Sequence, residues 1–258
     1  MLYPDVRSLY KYRQIKATND ENSDGNGYHK HTIEMLTKGT VWFSDPSDFN
    51  DPFDCDVPFV LPRPIPEGED RGVSDLWKVL EINAEFEGKR IIKCFGIFSL
   101  SEGNSNILMW SHYADHHKGL CIEYGRNDKN KLGDDKVTKP IRYTDLIPQF
   151  PLKEIEKFLE ARSTAGESNI FQSLVFTKSS NWTYEKEWRV VNREIGNRKK
   201  TLNKVKAEAV IFGLKTPLKD KLYLKKEFEN QNIFDLKYKK AIQKNGEFGL
   251  EIVSEDWE

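Results

Sequence analysis

The sequence predicts an α+β fold in which short strands and helices follow one another without a regular order. Three observations indicate this class. Apolar or alternating runs typical of strands recur along the chain, helical spacings lie between some of them, and turn-forming residues separate the two kinds of segment. The chain has 258 residues, of which 38% are hydrophobic and 12% aromatic. This is enough apolar material for a large core, so we expect residues 1–258 to form a single domain.

The predicted strands are runs that alternate, are apolar, or are rich in β-branched residues. Leu9 to Arg13 alternates and predicts the first strand, whereas 207–214 is the strongest core strand of the C-terminal half. The predicted strands are 9–13, 40–44, 91–99, 119–124, 139–143, 189–191 and 207–214, with one or two more within 233–238 and 248–252.

Helices are predicted where apolar residues recur every three to four positions. In 152–165 this spacing places Ile155 and Phe158 on one face, and Gly39 is expected to end an earlier helix as its C-cap. The predicted helices are 31–38, 75–86, 107–117 and 152–165, with 170–177 helical or extended. Polar or proline-rich stretches predict the connections at 18–28, 45–52, 61–72 and 126–138.

The composition excludes several classes of protein. The 40 Lys and Arg residues nearly balance the 41 Asp and Glu residues, so no global field favours nucleic acid or an anionic membrane. No apolar run approaches the roughly 20 residues of a membrane span, and the first residues lack the pattern of a signal peptide. We therefore expect a cytoplasmic protein with no membrane partner. Cys55, Cys94 and Cys121 have no metal-binding spacing and are expected to be reduced, buried thiols.

The most informative segment is 182–190, where Glu185 and Glu187 alternate with aromatic residues. On a strand both glutamates would leave the same face, and Tyr184, Lys186 and Trp188 would leave the other. Two like charges on one face raise a pKa unless a cation or a ligand compensates them. A structural interpretation stays open, in which this face is solvated or the glutamates pair with Arg189 or Lys178.

Five motifs occur in order along the chain. They are 9–13 (LYKYR), 41–53 (VWFSDPSDFNDPF), 98–102 (FSLSE), 109–113 (MWSHY) with Gly119, and 182–189 (WTYEKEWR). Together they resemble a widespread bacterial family catalogued as a domain of unknown function and numbered 2971. The resemblance covers nearly the whole chain, but it carries no established activity with it.

The order of a strand arginine, a Phe-Ser strand end and a late Glu-x-Glu also resembles the arginine–serine–glutamate class of ADP-ribosyltransferases. This resemblance implies a split or strongly curved, mostly antiparallel sheet with helices at its edges, and NAD as the substrate. It implies that Arg13 holds the NAD phosphates and ribose and that Ser44 shapes the nicotinamide pocket. Glu187 would stabilise the oxocarbenium-like transition state, and Glu185 would orient an acceptor macromolecule.

Other residues are expected to complete the pocket. Trp42, His112 and Tyr113 are aromatic or imidazole side chains that suit stacking on nicotinamide or adenine. The chain departs from the class at Ser44, where the usual Ser-Thr-Ser run is absent. Because a fold does not establish chemistry, a non-catalytic protein with this fold remains an alternative. The resemblance also implies a setting, that of an antiphage or toxin-type effector.

Two clusters suggest metal chemistry instead. His112 and His116 stand four apart on the predicted helix, where they could both face a metal ion. The acidic turn from Asp45 to Asp54 could seat a divalent cation, as a nuclease or hydrolase requires. The structural interpretations are a histidine inside an aromatic helix and a turn capped by its own side chains. We favour these interpretations and expect no metal. The basic stretch from Arg198 to Lys206 is typical of a solvated loop, although it could hold a phosphate-bearing partner.

Three functions follow, each with a structural consequence. An NAD-dependent ADP-ribosyltransferase requires a pocket where the first strand, the Ser44 turn and the glutamate strand converge, with Arg13 and Glu187 in one cleft. A metal-dependent nuclease or hydrolase requires convergent carboxylates or imidazoles. A non-catalytic module that binds a nucleotide or a protein through Trp110, Trp182 and Trp188 predicts an aromatic-lined cleft whose glutamates are engaged in salt bridges.

Overall fold

A computed structural model describes residues 2–55, 89–90, 92–160, 168–192, 198–202 and 205–257. The predicted connector 61–72 and the predicted helix 75–86 lie outside these residues. The helices are α1 (Lys30–Thr37), α2 (Ile107–Tyr113), α3 (Leu152–Glu160), α4 (Asn169–Val175) and α5 (Leu218–Asn230). Short 3-10 helices occupy Asp20–Asn22, Pro46–Asp48, Lys131–Gly133 and Ser180–Glu185.

An eight-stranded sheet forms the centre of the described structure. Its strands are β1 (Ser8–Arg13), β3 (Gly96–Ser101), β4 (Leu120–Gly125), β5 (Thr138–Pro140), β8 (Glu187–Asn192), β10 (Ala207–Phe212), β11 (Lys237–Gln243) and β12 (Leu250–Ser254). They lie side by side in the order β12-β11-β10-β4-β1-β3-β8-β5. In this sheet only the β10–β11 pair is parallel. Two further pairs are β2 (Thr40–Phe43) with β9 (Arg198–Thr201) and β6 (Arg142–Thr144) with β7 (Thr177–Ser179). The α+β class and the largely antiparallel sheet are therefore confirmed.

The sheet is weakly joined between β1 and β3. Strands β1 and β4 pair over six positions, whereas β1 and β3 share the single pair Tyr10↔Ser101. Further along β3, Ile97 instead exchanges two backbone hydrogen bonds with Ser44, which follows β2. The two halves of the sheet therefore diverge beyond Tyr10, and the Ser44 segment occupies part of the space between them.

The pairing register assigns side chains to the two faces of the sheet. Tyr10, Ser101 and Glu187 are paired in sequence across three strands, so they share one face. Leu9, Lys11 and Arg13 alternate with Tyr10 and lie on the other face. That other face carries the largest apolar core, which includes Leu9, Phe98, Leu100, Trp188, Val190 and Phe212. The face of Tyr10 packs against α2 through Tyr12, Met109 and Trp110.

Several predicted boundaries differ from the structure. Helix α2 ends at Tyr113 and not at 117, because Asp115, His116 and His117 all have positive φ and turn the chain back into β4. Gly119 is needed in this turn, since a Cβ there would lie 2.3 Å from the Arg13 carbonyl oxygen. Helix α1 ends at Thr37, and Gly39 follows with a φ of 61°.

Two further predictions are wrong, one on secondary structure and one on burial. The basic stretch that begins at Arg198 is not only a loop, because Arg198–Thr201 forms β9 and pairs with β2. Cys94 is exposed, although Cys55 and Cys121 are buried and all three thiols are free. The segment 170–177, predicted as helical or extended, is both, since α4 is followed at once by β7.

Candidate functional site

A cavity of about 430 Å³ opens at the weak junction between β1 and β3. It lies where β1, the Ser44 turn and β8 converge, as the sequence predicted. The lining includes Tyr10, Lys11 and Tyr12 of β1, Ser44 with Asp48–Asn50 and Asp54, Ser99–Ser101 of β3, Met109, His112 and Tyr113 of α2, and Lys178, Glu185, Glu187 and Arg189. This volume is within the range of small-molecule sites.

The two motif glutamates reach this cavity from a corner, not from one continuous strand. The prediction that 182–188 alternates as a strand is wrong, because Ser180–Glu185 is a 3-10 helix and β8 begins at Glu187. Lys186 between them has left-handed backbone angles, with φ 43° and ψ 51°. Backbone and side-chain hydrogen bonds fix the corner: Glu102 N–H donates to Lys186 O, and Ser101 Oγ donates to Glu185 O.

Three carboxylates surround the ammonium group of Lys178, which lines the cavity. Its Nζ lies 2.7 Å from Glu185 Oε2, 3.3 Å from Glu187 Oε2 and 3.3 Å from Asp54 Oδ2. The ammonium donates hydrogen bonds to Glu185 and Glu187, and its contact with Asp54 is an ion pair. The centre of the Trp182 ring lies 4.8 Å from Lys178 Nζ. The convergence of Glu185 and Glu187 therefore depends on a shared cation.

Arg189 forms the second cationic centre and is completely buried. Its Nε donates to Glu187 Oε1 at 2.7 Å, and its Nη2 donates to Asp54 Oδ2 at 2.5 Å and to Glu187 Oε2 at 3.0 Å. The remaining nitrogen, Nη1, donates to Val175 O and lies 3.3 Å from Cys55 Sγ. The structural alternative for Glu187, pairing with Arg189 or Lys178, is therefore the arrangement observed.

The two glutamates differ in acidity although they are neighbours. Burial raises the pKa of Glu187, but Arg189 and Lys178 outweigh burial and hold that pKa at about 2. For Glu185, burial and the Glu187 charge outweigh Lys178 and Tyr113, so its pKa is raised. Glu187 is therefore a fixed anion, and Glu185 is the carboxyl whose proton is more readily held.

Tyr113 connects α2 to the glutamate corner. Its hydroxyl donates to Glu185 Oε1 at 2.5 Å, and Asn106, the N-cap of α2, donates from Nδ2 to Tyr184 O at 3.2 Å. Tyr113 was predicted to stack on a ligand, and it does line the cavity. His112 also lines the cavity, with its ring 6.2 Å from that of Tyr184.

Arg13 does not line this cavity, whereas Glu187 does. The register places the two residues on opposite faces of the sheet. Arg13 Nε donates to Thr32 Oγ1 of α1 at 3.3 Å, and Nη2 lies 3.5 Å from His29 Nε2. Burial lowers the pKa of Arg13. The expected cleft shared by Arg13 and Glu187 is therefore not found within the described part of the chain.

The remaining predicted residues divide between the cavity and its surroundings. Ser44 lines the cavity beside β3. Trp42 is not in the cavity lining, and its ring lies 5.1 Å from the His31 ring near α1. His116 follows the end of α2 with a φ of 52°, so it does not share a helical face with His112.

Neither proposed metal cluster is assembled in the described residues. In them, no group of three or more His, Cys, Asp and Glu side chains is placed to hold a metal ion. In the acidic turn, Asp45 caps the 3-10 helix at Pro46–Asp48 by accepting from Ser47 N, as the structural interpretation predicted. Asp54 is directed to Arg189 and Lys178.

Sequence reasoning missed Lys11, which contributes a third cation to the cavity. Its Nζ donates to Ser99 O at 2.7 Å, at the position where the β1–β3 pairing has ended. A signal was present in the sequence, because Lys11 occupies the same face of the alternating strand as the apolar Leu9. Lysine at such an inward position is rare unless something compensates its charge.

Comparison with known proteins supports one part of the predicted resemblance. Residues 109–190 match the family model described as protein of unknown function (DUF2971). This match begins in α2 and ends in β8, so it contains His112, Tyr113, Lys178, Glu185 and Glu187. Searches of curated proteins and of solved structures found no match. None of the described helices is long and apolar enough to cross a membrane.

Proposed function

We propose that this protein binds NAD or a related nucleotide in the cavity and is an ADP-ribosyltransferase-like enzyme. One observation carries the proposal. Glu185 and Glu187, both less than 10% exposed, line the same cavity as Ser44 at the junction of two diverging halves of a sheet. A glycosyl transfer needs a carboxylate of this kind, held in place before the reaction, beside an anomeric carbon that develops positive charge.

The proposed chemistry breaks the bond between the nicotinamide nitrogen and ribose C1′. The electron pair leaves with nicotinamide, and a nucleophile of the acceptor forms the new bond to C1′. Glu187, whose low pKa keeps it ionised, would stabilise the developing positive charge. Glu185, whose pKa is raised, would accept the proton that the acceptor loses. Arg13 has no direct contact with the nucleotide in this proposal, because it lies outside the cavity lining.

A second candidate function is nucleotide binding without chemistry. It is favoured by the ion pairs that already engage Glu185 and Glu187 and by the aromatic side chains of the cavity, among them Tyr10, Tyr12 and Tyr113. The ion pairs are what the binding hypothesis predicts, whereas the tryptophans that it named, Trp110, Trp182 and Trp188, are not in the cavity lining. Metal-dependent hydrolysis has no comparable support, since the described residues offer no metal-binding group.

Incubation of the protein with NAD and candidate acceptors, followed by measurement of released nicotinamide, tests the enzymatic proposal. We expect the wild type to release nicotinamide, and a Glu187→Gln protein that circular dichroism shows to be folded to release it about a hundredfold or more slowly. The Glu185→Gln variant should also lose activity when an acceptor is present. Binding of NAD without any release would favour the second candidate, and absence of both binding and release would remove the two together.

A further inference from the structure

Lys11 is a cation of the cavity that no described carboxylate neutralises. It lies on β1 and lines the cavity, and its Nζ donates to Ser99 O at 2.7 Å. The ammonium also lies 5.2 Å from the centre of the Phe98 ring. No carboxylate of the described residues forms an ion pair with it, although Glu187 and Glu185 are near enough to influence its pKa.

The other two cations of the cavity, Lys178 and Arg189, already direct their N–H donors to acceptors of the protein. Lys178 directs its ammonium to three carboxylates, and each guanidinium nitrogen of Arg189 has an acceptor in the protein. Lys11 has one protein acceptor for three N–H groups. Among the described lining residues, an anionic ligand would therefore find free charged donors at Lys11.

The position of this amine follows from the divergence of the sheet. Beyond Tyr10↔Ser101 the backbone of β3 no longer pairs with β1, so Ser99 O is left without a strand partner on that side. The Lys11 side chain supplies the donor and thereby fixes its own ammonium at the junction. Ser44 lies across the same junction and lines the same cavity, so its hydroxyl adds a neutral polar group to the site.

A half-buried ammonium without a counter-ion carries a desolvation cost that a bound anion would offset. Burial, together with Arg13, lowers the pKa of Lys11 to about 8, although Glu187 and Glu185 act in the opposite direction. The amine is therefore still largely protonated at neutral pH, and a bound anion would raise its pKa again.

We propose that Lys11 binds a phosphate group of the ligand, so that the cavity takes a phosphate-bearing nucleotide in one orientation. Its phosphate lies at Lys11 and Ser44, and its cationic or electron-poor end faces Glu185 and Glu187. The choice of a nucleotide rests on the proposed function, whereas the phosphate anchor rests on the free donors of Lys11. NAD has this polarity, since its diphosphate is anionic and its nicotinamide ring is cationic.

Calorimetric titration with three probes tests the anchor: NAD, inorganic pyrophosphate, and nicotinamide riboside, which lacks phosphate. In Lys11→Met we expect the affinity for NAD and pyrophosphate to fall by at least about tenfold, because a charge-assisted hydrogen bond is lost. The affinity for nicotinamide riboside should be unchanged. Lys11→Arg keeps the charge and should retain most of the affinity. Lys129→Met, which changes an exposed lysine outside the cavity lining, is the matched control.

The outcomes separate the anchor from the proposed function. If Lys11→Met binds NAD and pyrophosphate as the wild type does, the anchor is wrong while nucleotide binding stands. If the wild type binds pyrophosphate through Lys11 but not NAD, the anchor stands and the nucleotide is the wrong ligand. If Lys11→Met weakens nicotinamide riboside as much as NAD, the residue shapes the cavity and does not recognise phosphate. Binding of neither phosphate probe by the wild type overturns the anchor.

Discussion

Lys178 and Glu185 form an ion pair of 2.7 Å between side chains that are each only 4% exposed. Glu187 and Asp54 join the same ammonium at 3.3 Å. Three carboxylates therefore share two buried cations, Lys178 and Arg189, and one negative charge is left over if all are ionised. Burial, together with the charge of Glu187, raises the pKa of Glu185, and the proton that Glu185 can then hold restores the balance. Stability and proposed activity thus depend on the same few side chains.

Replacing Glu187 by glutamine should lower the free energy of unfolding by about 3 to 5 kcal/mol. The amide keeps the shape of the side chain but leaves Arg189 and Lys178 without the charge that compensates them. Urea unfolding at neutral pH measures the loss. Glu251→Gln on β12, where the side chain is exposed, is the control and should change stability little. A Glu187→Gln protein as stable as the wild type would show that the ion pairs contribute nothing.

The stabilisation by Glu187 should disappear in acid. Its pKa is about 2 in the folded protein against an ordinary value of 4.5, so the unfolded chain binds the proton more readily. The contribution is therefore fully present above pH 4.5 and is lost as the pH falls towards 2. The difference in unfolding free energy between wild type and Glu187→Gln should shrink across this window. A difference that is the same at pH 3 and pH 7 would contradict the assignment.

Tyr113→Phe should raise the pKa of Glu185 further and cost about 1 kcal/mol of stability, because the hydroxyl donates to the ionised carboxylate. Carbon-13 NMR of the glutamate carboxyl groups follows the titration, and Glu185→Gln assigns the signal. Tyr223→Phe removes a tyrosine–carboxylate hydrogen bond to Asp24, outside the cavity lining, and should leave Glu185 unchanged. An unaltered Glu185 titration in Tyr113→Phe would exclude this hydrogen bond.

Lys11→Met should stabilise the ligand-free protein at neutral pH by about 1 to 3 kcal/mol, since it removes a half-buried charge that has no counter-ion. The pKa of Lys11 falls from 10.5 to about 8 on folding, with Arg13 adding to burial and with Glu187 and Glu185 opposing it. The unfolded chain therefore binds more protons between pH 8 and pH 10.5, and the wild type gains stability across that window.

Melting temperatures of wild type and Lys11→Met at both ends of the window measure this effect. The advantage of the variant should be largest at pH 8 and should nearly vanish at pH 10.5. A variant that is less stable than the wild type at pH 8 would mean that the bond to Ser99 O outweighs the cost of burial.

Local patterns predicted the fold class and the approximate place of the cavity. The alternation of 9–13 and the apolar runs at 119–124 and 207–214 correspond to β1, β4 and β10, which are neighbours in the sheet. Periodicity identifies such elements because each buries one face or both. The convergence of β1, Ser44 and β8 was predicted from the resemblance, and the cavity lies there.

Long-range contacts were the part that the sequence could not supply. Arg189 joins Glu187 to Asp54, and Lys11 donates to Ser99 O. These contacts connect residues far apart in the chain, and no local pattern indicates them. The corner at Lys186 was missed because its alternation of aromatic and charged residues suits a strand, whereas tertiary hydrogen bonds from Ser101 and Glu102 hold a left-handed turn. The position of Arg13 was missed because its partners Thr32 and His29 come from a tertiary contact with the start of α1 that no local pattern indicates.

The most direct test of the central claim is a calorimetric titration of NAD into the wild type and into Ser44→Tyr. Ser44 lines the cavity at the junction of β1 and β3, so a tyrosine there would fill part of its 430 Å³. We expect saturable binding of one NAD per chain in the wild type and loss of that binding in a Ser44→Tyr protein that remains folded. No binding at millimolar NAD, or equal binding by both proteins, would contradict the assignment of this cavity as a nucleotide site.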